Sequence, residues 1–200
     1  MKRLILLLAL ITIGMSTLVA QKIAILPKVG INIATMKNQE MAISSGYTQF
    51  ESSKTAVRTV VAADFIYSLN DRVALISGLS YNQRGCSFCD VVDKTGNILK
   101  NNYKLDYLDL PIKMRVNLVG GLGVSSGLVF GFLIKARHNQ DDLRTICNNI
   151  NYSLPLGISY EWKHLVLDVT YEFGLNHVYC DGDVNHRNCL VTLGYKFKLK

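Results

Sequence analysis

Two residue types in this 200-residue chain could do chemistry by their spacing: five cysteines and four histidines. Cys86 and Cys89 stand in a Cys-Ser-Phe-Cys run, Cys147 is alone, and Cys180 and Cys189 lie close together near the end. A redox Cys-x-x-Cys pair needs a helix start to lower the pKa of one thiol, and no helical pattern surrounds Cys86. A zinc site using Cys180 or Cys189 with His177 and His186 is conceivable, with plain loop residues as the competing reading. A lipid-modifying hydrolase would need a serine or histidine aligned with an acid. His138, His164, His177 and His186 show no such alignment. Disulfides fit best. Cys180 with Cys189 is the first choice, while Cys86 and Cys89 can pair with each other or one of them with Cys147, leaving a free thiol. The sequence does not choose among these arrangements. No catalytic residue, cofactor or metal is expected.

Disulfides presuppose an oxidising compartment, and the start of the chain supplies the reason to expect one. Met1-Lys2-Arg3 is followed by an apolar run from Leu4 to Ile11 and a small residue at Ala20. This is the pattern of a secretory signal peptide covering residues 1–20, cleaved before Gln21. A membrane anchor is the alternative, but the uninterrupted run is short of the roughly 20 residues a spanning helix needs. No cysteine follows the cut to carry a lipid. Loss of Lys2 and Arg3 lowers the formal charge from +7 by two, to +5.

The elements that must position everything else follow a period of two, the signature of strands with one apolar face. Eight such stretches run from Ile23: about 23–33, 55–69, 72–85, 103–118, 124–137, 152–162, 165–176 and 189–199. In the sixth, Tyr152, Leu154, Leu156, Ile158, Tyr160 and Trp162 alternate with Ser153, Gly157, Ser159 and Glu161. In the fourth, the apolar parity changes between Tyr107 and Leu108, which predicts a β-bulge. Val116 to Ile134 is long and uncharged enough to score as a membrane helix, but its glycines and serines, with Gly120-Gly121 at a turn, favour a hairpin. Pro27, Pro111 and Pro155 fall inside predicted strands, where a missing donor is unwelcome.

Alternation alone fits either a soluble barrel with an apolar cavity or a membrane barrel with a polar interior. Connection lengths favour the second. Links at 37–54, 86–102, 138–151 and 177–188 are long, whereas Asn70-Asp71, Gly120-Gly121 and Lys163-His164 mark tight turns, so long loops gather at one end. Apolar-face aromatics form two bands, Phe65, Tyr67, Tyr160, Trp162, Tyr195 and Phe197 near the turns, and Tyr81, Tyr103, Tyr107, Tyr152, Tyr171 and Phe173 near the loops. The polar face mixes glycines with Asp64, Asp106, Asp109, Glu161, Asp168 and Glu172, available to pair with Arg58, Arg84, Lys113, Arg115 and Lys135. All five cysteines fall in or beside the predicted loops. Those loops together carry a charge of −2, so there is no exposed basic patch for nucleic acid. The expected architecture is an all-β, eight-stranded antiparallel up-and-down transmembrane barrel over residues 21–200.

Several motifs resemble one family. Lys28-Val29-Gly30-Ile31-Asn32, Gly78-Leu79-Ser80-Tyr81-Asn82-Gln83-Arg84-Gly85, Tyr107-Leu108-Asp109-Leu110-Pro111-Ile112-Lys113, Thr170-Tyr171-Glu172-Phe173-Gly174-Leu175 and Leu193-Gly194-Tyr195-Lys196-Phe197 are similar to segments of PorT-like outer-membrane β-barrel proteins. These are close in architecture to the small OmpX and OmpA barrels. Thr192, Gly194, Phe197 and Leu199 resemble the terminal assembly signal of such barrels, although Lys198, Leu199 and Lys200 follow where a terminal aromatic is usual. The resemblance implies a bacterial outer-membrane location and no enzymatic reaction. It also implies contact with outer-membrane lipid, and loops that bind an extracellular or envelope protein partner or serve envelope integrity or a secretion assembly. A narrow pore and a soluble, secreted lipocalin-like barrel with an apolar ligand are the alternatives.

Overall fold

The computed structural model describes residues 23–38, 50–85, 88–92, 98–101, 103–138, 141–142, 148–179 and 182–199. The expected signal peptide lies outside them. Eight long strands dominate: β1 (Ile23–Asn38), β2 (Ala56–Ser68), β3 (Val73–Arg84), β4 (Tyr103–Asn117), β5 (Leu122–His138), β6 (Ile150–Trp162), β7 (Leu165–Tyr179) and β8 (Gly182–Tyr195), the last continued by Phe197–Lys198. Each pairs antiparallel with its chain neighbours, and β8 returns to β1 from Lys28↔Gly194 to Asn38↔Val184. The sheet is therefore a closed eight-stranded up-and-down barrel without a free edge.

The period of two decides what faces where. Val29, Ile31, Leu79, Ile112, Leu156, Ile158 and Trp162 point outward and are exposed, while Asn32, Asp64, Asn82, Asp109, Ser153 and Thr192 on alternate positions are buried inside. This is the inverse of a soluble barrel and suits a hydrocarbon surrounding. The three expected turns are present at one end. Asn70 Oδ1 accepts from the backbone N–H groups of Arg72 and Val73, Gly120 and Gly121 adopt positive φ, and Lys163 turns with φ 57°.

Each proline falls where one flanking ladder skips. The β1–β8 pairing is broken between Ile25↔Phe197 and Lys28↔Gly194, at Pro27. The β3–β4 pairing is broken between Ser77↔Ile112 and Ser80↔Asp109, at Pro111. The β5–β6 pairing is broken between Ser153↔Val129 and Leu156↔Ser126, at Pro155. The missing N–H thus sits at a gap on one side, with an unbroken ladder on the other.

Four expectations are corrected. Leu105 and Tyr107 are fully buried in the interior, on the same parity as Asp109 and Lys113, so β4 does not change face and Tyr107 leaves the outer aromatic band. The irregularity does fall beside Tyr107, between Asp106↔Lys135 and Tyr107↔Leu133, but the extra residue is Ile134 on β5. That bulge turns Lys135 outward, where it is exposed rather than paired inside. Finally, the fourth long loop shrinks: β7 runs to Tyr179, β8 begins at Gly182, and these two residues pair. The first two long loops instead contribute a three-stranded sheet, Phe50–Lys54, Phe88–Val92 and Ile98–Asn101.

Candidate functional site

Inside the barrel, Arg84 at the loop end of β3 is completely buried and gathers groups from three other strands. Its guanidinium lies 2.7 Å from Asp109 on β4 and 3.4 Å from Glu172 on β7, and donates to Asn151 Oδ1 on β6 at 2.9 Å. Tyr107 lies beneath it, with the guanidinium carbon 4.8 Å from the ring centre. Amides extend the network: Asn82 donates to Asp109, Asn32 on β1 donates to Asn82 Oδ1 at 2.8 Å, and Asn188 on β8 reaches Glu172 at 3.5 Å. His186 stands edge-on to Tyr107, its Nε2 3.4 Å from the phenol oxygen. Buried charge persists only where partners of this kind are supplied.

Below this hub, Lys28 pairs with Asp64 at 2.7 Å. Lys113 is buried near Asp168, Asp64 and Glu172. Nearer the turns, Glu161 accepts from Lys196 at 2.7 Å and lies 3.7 Å from Arg115. Beside these groups an apolar plug of Ala24, Leu26, Ile66, Ala74, Ile76 and Val166 fills β1, β2, β3 and β7 at the turn end. The sequence hides this plug because apolar residues there occupy both parities, as in Ile23-Ala24-Ile25-Leu26. The mid-barrel cavity lined by Lys28, Asp64, Ser80, Lys113, Asp168 and Thr192 measures about 30 Å³, room for about one water. The interior is a cross-braced, nearly filled column.

The acids named from sequence thus divide. Asp109 and Glu172 close on Arg84, Asp64 on Lys28, and Glu161 on Arg115 and Lys196. Lys28, Lys196 and the four buried asparagines were absent from the pairing scheme, although their inward, period-two positions next to charges were the available signal.

Cys86, Cys147 and Cys180 lie outside the described residues, and Cys89 stands in the small loop sheet opposite Asn101. Cys189 belongs to β8, opposite Ile33 and Tyr171, with a free thiol on the outward face. It is a strand residue seven positions from Gly182, not the flank of a loop. His186, three residues away, points inward, so these two cannot ligate one zinc. Among the described residues no cluster of metal-ligating side chains occurs. Of the terminal motif, Thr192 is buried, Gly194 packs against β1, and Phe197 and Leu199 are exposed outward.

Comparison with known proteins bears on this arrangement. Residues 19–179 match the family model described as an outer membrane protein beta-barrel domain. No curated protein matches the chain. Among solved structures, Neisserial surface protein A is similar with a TM-score of 0.55 at 12% identity, over 87% of this chain and 99% of that one. Ail of Yersinia pestis, an attachment invasion locus protein solved with the heparin analogue sucrose octasulfate, is similar with a TM-score of 0.51 at 14% identity, over 88% and 99%. These likenesses establish the fold. The inverted barrel and the family match lead to one conclusion: the chain belongs to the outer membrane protein beta-barrel domain family and resides in the bacterial outer membrane.

Proposed function

We propose that this is a non-enzymatic outer-membrane barrel, PorT-like in its motifs, whose work is done by its long loops. They would bind an extracellular or envelope protein partner, or serve envelope integrity or a secretion assembly. The observation that carries this reading is the filled interior: among the described residues, a cavity of about 30 Å³ and the Leu26, Ile66 and Ile76 plug leave little room for a solute. That weighs against the narrow pore. A barrel with a filled interior has its loop end left for recognition. Ail was solved in complex with the heparin analogue sucrose octasulfate, an instance of a barrel of this shape holding a ligand. Residues 1–20 are the proposed signal peptide, which predicts a mature N-terminus at Gln21.

The test is paired. Purified barrel in planar bilayers should give no steady conductance. Barrels in which residues 39–49 and 93–97 are replaced by short turns should still fold, shown by a heat-dependent gel shift, yet fail to complement the envelope defect of a deletion strain. Steady wild-type conductance, or full complementation by the loop-trimmed barrel, would overturn the reading.

A further inference from the structure

The turn end of the barrel is anchored unevenly. Its outward aromatics fall on β2 (Phe65, Tyr67), β6 (Tyr160, Trp162) and β8 with its continuation (Tyr195, Phe197). β1 and β7 each lie between two of these strands. By contrast, β3, β4 and β5 are three consecutive strands with no outward aromatic at that end, where Leu75, Met114, Val116, Leu118, Leu122 and Val124 stand instead. The turns differ in the same way. Asn70-Asp71-Arg72 and Lys163-His164 are polar or charged, whereas Leu118-Val119-Gly120-Gly121-Leu122 offers water only its backbone. Val119 is 91% exposed. The Glu161 N–H donates to the Gly121 carbonyl at 2.8 Å, which holds this tip beside Trp162, at headgroup level, where hydrocarbon no longer covers it.

Above the tip the wall is notched. Ser126 on β5 takes an outward position, in register with Met114 on β4 and Leu156 on β6, both about half exposed. Together with Val116, Val124 and Ile158 they line a groove of about 540 Å³. Ridge and groove thus lie one strand apart on the same patch. Two copies facing each other across a two-fold axis along the membrane normal bring Met114 or Leu156 of each towards the groove of the other, which is the self-complementarity that an isologous contact requires. The outward positions of β4 from Leu108 to Leu118, and of β5 from Leu122 to Ile134, carry no charge that such a contact would bury.

Within hydrocarbon an apolar wall gains little by meeting another, because lipid tails are equally apolar; what association gains there is fit, as when a side chain fills a groove. At the tip the hydrophobic effect itself acts, because Val119 leaves the water among the headgroups. One patch therefore supplies both contributions. We propose that the outward face of β4, β5 and the turn end of β6, from the Val119 tip to the Ser126 groove, is the interface of a homodimer within the membrane. Its occupant is a second copy of this chain in parallel orientation. The loop ends of the two copies then stand side by side on the outer surface, independently of whatever the loops bind.

The experiment measures the mass of the full barrel by sedimentation equilibrium in density-matched detergent micelles over a range of protein-to-detergent ratios. Wild type should pass from one chain to two as the ratio rises. Ser126→Trp fills the groove; overpacking of this kind weakens a contact about tenfold per site, and since both copies carry it, association should fall about a hundredfold. Val119→Asp sets two carboxylates against each other at the tip and should lower association at least about tenfold. Ile31→Trp on β1, across the barrel, should leave it unchanged. Each variant is checked by its heat-dependent gel shift, and if Ser126→Trp fails to fold, Val119→Asp on its exposed turn carries the test. A wild-type barrel that stays monomeric at every ratio would overturn the proposal. So would dimers that Ser126→Trp and Val119→Asp leave intact, or that Ile31→Trp disrupts, since these place the contact elsewhere. In intact outer membranes, a photoreactive phenylalanine in place of Val119 should give a cross-linked product of two chains; a product with lipid alone, or with a different protein, would refute the second copy as the occupant.

Discussion

Replacing Arg84 with methionine is the most direct test of the cross-braced interior. Methionine keeps an unbranched stem over Tyr107 but withdraws the guanidinium from Asp109 at 2.7 Å, Glu172 at 3.4 Å and Asn151 at 2.9 Å. Asp109 and Glu172 are almost fully buried, and the cavity they line has room for about one water, too little to resolvate both. Removing one side of a buried ion pair costs about 3–5 kcal/mol because the remaining charge is left uncompensated. With two carboxylates stranded, the upper part of that range is expected. In guanidinium titration of the detergent-solubilised barrel, the midpoint should fall by about 1 M or more. The transition can be followed by the heat-dependent gel shift and by fluorescence of Trp162, the single tryptophan. The triple variant R84M/D109N/E172Q removes the stranded charges and should recover more than half of the loss, since neutral isosteres carry a far smaller desolvation penalty. A midpoint for R84M within about 0.2 M of wild type, or a triple variant no more stable than R84M, would refute the account of Arg84 as the hub.

Other outcomes follow from individual positions. Gly121 has φ +86° and a Cβ there would meet the Glu161 carbonyl oxygen, whereas a Cβ on Gly120 would meet open space; Gly121→Val should cost about 2–3 kcal/mol and Gly120→Ala only about 1 kcal/mol, measured by the same titration. Cys189 has its free thiol on the outward face, so a membrane-soluble maleimide should label it in intact membranes while a large hydrophilic maleimide should not; hydrophilic labelling without unfolding would contradict its placement. Phe197 is exposed on the outward face, so Phe197→Ala should change the unfolding midpoint little while lowering the yield of barrel assembled in cells. Equal assembly would remove Phe197 from the terminal signal.

The strand periods, the three tight turns and the orientation of the faces were legible because each strand is polar inside and apolar outside over most of its length. The reading failed where that contrast fades. Leu105 and Tyr107 are apolar residues facing inward, where Tyr107 supports Arg84, and they imitate a change of face. The turn-end plug is apolar on both sides of β1, β2 and β3, so period two carries no information there. Lys135 looked interior because a one-residue bulge on β5 shifts parity without any glycine or proline to announce it. The β7–β8 hairpin looked like a loop because Asn185, His186, Arg187 and Asn188 are polar, although the first of the inward pair fills the interior beside Tyr107 and the second beside Glu172. The ion pairs were legible as a set of available charges but not as pairs, since partner choice depends on shear around the barrel rather than on sequence distance.

The pairing of β8 with β1 joins positions 146 to 166 residues apart, from Asn38↔Val184 to Lys28↔Gly194. Every other ladder can form between neighbours as they emerge, but this one waits for the whole sheet, and until then two edges remain as templates for stray pairing. The seam therefore makes closure of the barrel depend on the whole chain. A chain lacking β8 keeps the outer edges of β1 and β7 unpaired, whereas one in which Gly194 stands opposite Lys28 has no edge left in the barrel sheet.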